Sequence, residues 1–294
     1  VIRFGINPIG WSNDDFKELG GNIPLEQCLR EAKEAGYAGV ELGHKMGRES
    51  RVLRPLLQNH GLELVSGWHC SFVLERTPQE EERSMRTHLK FMKEMGCKVA
   101  IVAECARRNY HLPELKLYHR KGTSLLSDRE WDTLCSGLDR LAAICESEGI
   151  PMAYHPHMGT VIQDEMQLGR LMSQTRKVGL TLDSGHLTYA GADARTEFAK
   201  YAARIRHVHF KDVRRSVLDP AIRENWTFYE AVKAGVFTVP GDGSIDYTAL
   251  AEILRQQKYS GWIVVEAEQD PVKAPPLEYA KKGMAHLKSL RLEA

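Results

Sequence analysis

Short apolar runs alternate along this chain with longer stretches in which apolar side chains return every third or fourth position, the pattern of strand–helix units and a parallel sheet. The runs Ile2–Ile6, Gly39–Leu42, Glu63–Trp68, Val99–Ala103, Pro151–His155, Val178–Leu182, His207–Phe210 and Trp262–Glu266 are the expected strands. Between and after them, Pro24–Ala35, Arg51–His60, Pro78–Met95, Asp128–Glu148, Glu165–Gln174, Ala194–Arg204, Tyr247–Gln257 and Leu277–Leu290 carry helical periodicity. Eight such units close on themselves, so the expected fold is α/β: a single (β/α)8 TIM barrel spanning residues 1–294 as one domain. Gly36, Gly61, Gly96 and Gly149 each stand between the end of a helix and the next strand, where a left-handed C-terminal cap has no room for a Cβ.

Two connections are long for such units, residues 105–127 and 213–244, and both leave the C-terminal ends of strands, the face where barrels carry their sites. The second contains Trp226, Phe228 and Tyr229 ahead of a Pro240-Gly241-Asp242-Gly243 turn. These aromatics either close over a small ligand or pack the loop down or against another subunit, so a homo-oligomer is allowed for.

Charge narrows the partners. With 40 Lys and Arg against 39 Asp and Glu, and no block of one sign, no basic face is expected to hold nucleic acid. No apolar run approaches the about 20 residues needed to cross a bilayer, and the first residues lack a basic stretch followed by a long apolar one. The six cysteines fall singly rather than in close pairs, as expected of reduced, mostly structural thiols in the cytoplasm. A small molecule is the partner left.

The chemistry gathers at strand ends. Asp183 follows an apolar run in Leu180–His186, His209 sits in His207–Asp212, and Glu266 sits in Ile263–Glu268. Each falls where a strand gives way to a loop, and in a parallel barrel those ends converge on one mouth. His155 and His157, two residues apart on one side of an extended segment, end a fourth strand, and either could complete the set. Mixed carboxylate and imidazole ligands suit Mn²⁺, Co²⁺, Fe²⁺ or Zn²⁺ better than Ca²⁺.

The segments Leu182-Asp183-Ser184-Gly185-His186, His207–Asp212 and Val264–Glu268 resemble those of the xylose-isomerase-like barrels, sugar isomerases, epimerases and dehydratases. Gly5–Asp15, Tyr154–Thr160, Val239–Gly243 and Val265–Pro271 are more narrowly similar to the inosose dehydratases, with the rhizopine-catabolism proteins sharing much of the pattern. The resemblance implies a divalent metal, Mn²⁺ or Co²⁺ first, held by His155, Asp183, His209 and Glu266, with histidine at 155 where many relatives carry glutamate. It also allows for glutathione. It implies removal of water from 2-keto-myo-inositol, a cyclic polyol ketone, through an enediolate, to give a trihydroxycyclohexane-1,2-dione in myo-inositol catabolism.

His157, His186, Lys211 and Glu268 are the candidate proton handlers, Lys211 either as a base whose pKa burial beside a cation would lower or as a fixed charge holding a hydroxyl. Asn7, Trp11, Glu41, Trp68, His69 and Glu104, at the ends of the first four strands, are the candidates for gripping ring hydroxyls and walling the C–H face of the ring. An isomerase or epimerase of an inosose or ketose would use the same metal without losing water, and a polyol-binding barrel would bind without turnover. A multi-metal endonuclease is disfavoured by the near-neutral charge.

Overall fold

Eight strands of the computed structural model, which describes residues 1–108 and 126–292, form the expected closed barrel. In chain order they begin with β1 (Ile2–Ile6), β2 (Gly39–Leu42), β3 (Glu63–Ser71), β4 (Ala100–Glu104), β5 (Met152–Tyr154), β6 (Gly179–Asp183) and β7 (Ile205–Phe210). A short antiparallel pair, β8 (Asp212–Val213) and β9 (Phe237–Thr238), then precedes β10 (Gly261–Val265), which lies between β7 and β1 and closes the ring. All barrel pairings are parallel.

The expected helices match α1 (Leu25–Glu34), α2 (Ser50–Asn59), α3 (Pro78–Met95), α4 (Asp128–Ser147), α5 (Glu165–Gln174), α7 (Ala194–Lys200), α10 (Tyr247–Gln256) and α11 (Pro276–Ser289) to within a few residues. Their ends follow from local chemistry. Thr77 accepts from the Glu80 amide while the Glu80 carboxylate accepts from the Thr77 amide, a reciprocal cap worth about 1 kcal/mol, and α3 ends where Gly96 turns left-handed at φ 84°. Gly36, Gly61 and Gly149 also take positive φ.

The long 213–244 connection is not a bare loop. It holds α8 (Arg215–Arg223) and α9 (Phe228–Ala234) between β8 and β9, and these pack as a second apolar cluster of Phe16, Tyr189, Leu218, Phe228, Val232 and Phe237. Tyr229 meets Phe16 edge-on at 4.8 Å, so the aromatics pin the segment to the β1 loop. The Pro240–Gly243 turn is held by one carboxylate: Asp212 accepts from the amides of Val213, Gly241, Gly243, Ser244 and Ile245. A Cβ on Gly243 would lie 2.4 Å from Asp212 Oδ1, which is why that turn position is glycine. Of the other long connection, residues 109–125 lie outside the described residues.

The barrel interior changes character along its axis. Near the strand starts Val65, Trp262 and Val264 fill it, with Gly5 and Gly39 leaving them room. Toward the strand ends the apolar layer gives way to buried Glu41, His207, His209, Asp183 and Glu266. Burying so many ionisable groups is costly unless they are paired or bind a cation.

Candidate active site

Four side chains meet above that layer. His155 follows β5, Asp183 ends β6, His209 lies near the end of β7 and Glu266 follows β10; one ligand atom from each lies within 4.8 Å of the others. His209 Nδ1 is 3.0 Å from Glu266 Oε2, 3.5 Å from Asp183 Oδ2 and 3.1 Å from His155 Nε2. The partners on the far sides of the rings fix the protons. His155 Nδ1 faces the Pro156 carbonyl at 2.8 Å and His209 Nε2 faces Glu41 Oε1 at 3.0 Å, so both of those nitrogens carry hydrogen. His155 Nε2 and His209 Nδ1 face one another across 3.1 Å, an approach that two neutral rings with those protons would make lone pair to lone pair. Asp183 Oδ2, buried beside them, accepts no hydrogen bond among the described residues. Such a knot is repulsive unless positive charge sits in it. Without a cation His209 supplies that charge itself: burial would lower its pKa, but Glu41 and Glu266 outweigh burial and push it well above the ordinary value, so a proton on Nδ1 stands where a metal would.

Glu41 lies where the β2–β3 register shifts between Val40 and Leu42, and its carboxylate turns into the barrel. Burial opposes its charge, but His209 and His207 hold the carboxyl low. Oε1 serves His207 Nε2 at 2.7 Å and His209 Nε2 at 3.0 Å, while Oε2 accepts from Asn7 Nδ2 at 2.9 Å. The same Asn7 nitrogen donates to Glu266 Oε2 at 3.0 Å.

A second cluster adjoins the first. Lys211 is fully buried, with its Nζ 2.6 Å from Glu268 Oε1, 2.7 Å from Glu266 Oε1 and 2.9 Å from His186 Nε2. Burial lowers its pKa, as the sequence suggested, but Asp183, Glu266 and Glu268 outweigh burial and raise it. Of the two roles the sequence left open for Lys211, poised base or fixed charge, these surroundings suit the fixed charge. His186 takes the opposite shift, because burial and then the Lys211 charge hold it well below the ordinary histidine value. His157 stacks on His186 at 4.0 Å between ring centroids and is likewise driven down, by burial first and His186 second. Phe228 and Phe237 cover this cluster, Lys211 Nζ lying 4.9 Å from the Phe237 ring centroid. The Ser184-Gly185 pair explains the motif around Asp183: a Cβ on Gly185 would lie 2.4 Å from Lys211 Cγ, so only glycine lets the lysine stem cross.

A cavity of about 300 Å³ opens beside the first cluster. Asn7, Glu41, Trp68, His157, His209 and Glu266 line it. Lys211, His186 and Glu268 lie behind that lining, and three of the expected hydroxyl-gripping residues face elsewhere. Trp11 is in the core, its Nε1 donating to Glu31 at 2.6 Å. Trp68 and Cys70 face the cavity, so strand alternation sends His69 outward, where its ring packs against His88 of α3. Glu104 stands beside Ser71 on that same outward face and accepts from Ser71 Oγ and the amides of Val73 and Ala106.

The chain matches the family described as xylose isomerase-like TIM barrel over residues 29–290. An inosose dehydratase of Geobacillus thermodenitrificans is 43% identical over 289 residues, 98% of this chain and 96% of that protein. The rhizopine catabolism protein MocC of Rhizobium meliloti is 42% identical over 97% of this chain and 87% of its own length. Among solved structures, the probable 3-DHS dehydratase AsbF from Bacillus anthracis superposes with a TM-score of 0.70 at 14% identity, covering 97% of this chain and 98% of that one. The chain belongs to the xylose isomerase-like TIM barrel family and, within it, to the inosose dehydratases. It is an enzyme, a hydro-lyase.

For a xylose isomerase-like hydro-lyase, the cavity lining includes residues that sequence reasoning passed over. Asp14 and Asp15 come from the loop after β1, His44 and Arg48 from the loop after β2, Cys70 from β3 and Arg108 from beyond β4. Asp14 and Asp15 lay within a segment singled out for its resemblance, yet nothing in local spacing marked them or His44 as facing the mouth. Cys70 also departs from the expectation of inert thiols: Trp68 Nε1 donates to its sulfur at 3.2 Å and Arg108 Nη1 at 3.1 Å.

Proposed function

We propose that this enzyme removes water from 2-keto-myo-inositol, giving a trihydroxycyclohexane-1,2-dione, and that a divalent metal held by His155, Asp183, His209 and Glu266 makes the step possible. The observation that carries the reading is the convergence of four buried ligand atoms, from His155, Asp183, His209 and Glu266, within 4.8 Å of one another, with Asp183 Oδ2 accepting no hydrogen bond among the described residues, a donor set that fits one cation. Two imidazoles and two carboxylates suit Mn²⁺ or Co²⁺, with Zn²⁺ and Fe²⁺ as further members of the class. When bound there, such an ion supplies Lewis-acid stabilisation of the negative charge that grows on a ketone oxygen as its α-proton leaves.

The remaining work falls to the side chains. Glu41 holds the His209 ring so that Nδ1 faces the centre, and Asn7 ties Glu41 to Glu266. Lys211 pairs with Glu266 and Glu268, holds the Glu266 carboxyl low and does not itself give up a proton. His157 is kept neutral by burial and by His186, and its Nδ1 donates to the Met158 carbonyl at 2.8 Å, a tautomer that makes Nε2 the basic nitrogen for the α-proton. Trp68, Ile9 and Ile101 give the ring an apolar wall, while Asn7 and Asp15 offer partners to its hydroxyls. The same reading keeps residues 1–294 as one barrel domain acting on a free metabolite in a reducing compartment, which suits six unpaired cysteines.

Product analysis is the test. Incubation of the metal-loaded enzyme with 2-keto-myo-inositol should yield a product lighter by one water. A product of unchanged mass would make the enzyme an isomerase or epimerase, and tight binding without turnover would make the barrel a polyol receptor.

A further inference from the structure

Losing a hydroxyl requires a proton donor as well as a base, and the groups behind the cavity wall are poor donors to a ring lying in it. The barrel order places β2 diametrically across the mouth from β6, and β1 across from β5. The loops after β1 and β2 therefore lie across the mouth from the His155 and Asp183 side of the cluster, and they bring Asp14 and His44 together. His44 Nδ1 lies 2.6 Å from Asp14 Oδ1, and the His44 amide donates to the same oxygen at 3.2 Å. Both side chains line the cavity that holds Glu266, His209 and His157. Ser12 Oγ is 3.5 Å from His44 Nε2, at the edge of hydrogen-bond reach. A carboxylate on one ring nitrogen is the arrangement that fixes an imidazole's orientation and leaves the other nitrogen for proton transfer.

We infer that His44, oriented by Asp14, is the catalytic acid that protonates the departing hydroxyl, on the cavity wall across from His155 and Asp183. This rests on the dehydratase reading above. After the α-proton has gone to the base, the enediolate electrons form the new C=C bond as the β C–O bond breaks. The electron pair of that bond stays on oxygen, which takes the Nε2 proton of His44 and leaves as water. The enol product rearranges to the diketone, and His44, with 28% of its side chain exposed, is reprotonated from solvent. Asp14 is a positioning residue that fixes the His44 ring through Nδ1.

Two readouts on one sample test it. In D₂O, NMR follows exchange of the ketone's α-hydrogen, which needs only the base and the metal, while mass analysis follows loss of water. His44→Gln should retain exchange within a few-fold of wild type and lose dehydration by roughly 10²–10⁴-fold, the range for general acid catalysis. Asp14→Asn should fall between the two, with dehydration rather than exchange affected. Dehydration at the wild-type rate in His44→Gln, or equal loss of exchange and dehydration in a variant whose metal content and melting temperature match wild type, overturns the assignment. If His44→Gln does not fold, Asp14→Asn decides alone on the same two rates. Failure of the wild type to do either reaction would instead defeat the dehydratase reading.

Discussion

Replacing Gly185 with alanine sets two opposite effects against each other. Gly185 lies within α6 (Ser184–Tyr189), and a glycine-to-alanine change in a helix ordinarily stabilises by about 1 kcal/mol. Here the new Cβ would meet Lys211 Cγ at 2.4 Å, Cδ at 2.6 Å and Cβ at 2.8 Å. Those are atoms of the lysine stem near its backbone, so they cannot swing aside as a chain tip would. Overpacking of this kind costs roughly 1–3 kcal/mol. Any shift of the stem also draws Nζ away from Glu266 and Glu268, and leaving a buried carboxylate without its cation costs about 3–5 kcal/mol in the limit of complete loss. The clash wins: Gly185→Ala should destabilise the fold by roughly 1–3 kcal/mol net, a fall of several degrees in melting temperature for a chain of this size, and should depress turnover. Urea denaturation gives the magnitude, and a double-mutant cycle with Lys211→Ala isolates the cause, because truncating the lysine removes two of the three close atoms. Gly185→Ala should cost less in that background than alone. Full stability and activity in Gly185→Ala, or strict additivity with Lys211→Ala, would refute the account of the lysine's path.

Glu41→Gln should weaken divalent-metal affinity by about 10–100-fold, measured by calorimetric titration of the stripped protein, because the carboxylate that fixes the His209 tautomer is gone. Glu104 is pushed up to about 7, by burial first, against the hydrogen bonds from Ser71 and the Val73 amide. A carboxyl raised in the folded state is protonated at no cost at low pH and must ionise at a cost above it, so wild-type stability should fall between about pH 4.5 and pH 7, by about 3 kcal/mol. The stability gap between Glu104→Gln and wild type should therefore move in the variant's favour by that amount across the window, and pH-independent urea midpoints for the difference would refute it. Cys70 should be alkylated by iodoacetamide ahead of the other five cysteines, since Cys105, Trp68 and Arg108 lower its pKa while burial raises those of Cys28, Cys97, Cys135 and Cys145. Alkylated Cys70 lines the cavity, so turnover should fall in step with labelling, as read by mass spectrometry.

The barrel was legible because strand–helix alternation and helix-ending glycines are local signals, and β1, β2, α3 and α5 came out with the bounds expected. The convergence of His155, Asp183, His209 and Glu266 was legible for a related reason: residues at successive strand ends must come together once the sheet closes. His155 could be told from His157 only in three dimensions, where the first joins Asp183, His209 and Glu266 and the second joins His186 and Glu268. Lys211 shows the limit from the other side. Burial was readable, but the sign of its pKa shift depends on three carboxylates brought from β6 and the end of β10. Trp68 and His69 could not both face the mouth, and strand alternation decides between them once the register is known. The helices of residues 213–244 hid because two short apolar stretches around Pro220 and Gly235 mimic a loop, and the Asp14–His44 contact joins residues 30 apart with no periodic signal to link them.

The central claim is that four side chains hold one ion without which the ketone's C–H bond does not yield. Titrating metal-stripped protein with Mn²⁺ or Co²⁺ while following water loss from 2-keto-myo-inositol tests it in one curve. Activity should rise from near zero and break at one equivalent per chain, and Glu266→Gln, folded by circular dichroism, should stay flat across the same range. Full turnover by the stripped enzyme, or a normal curve from Glu266→Gln, would contradict it.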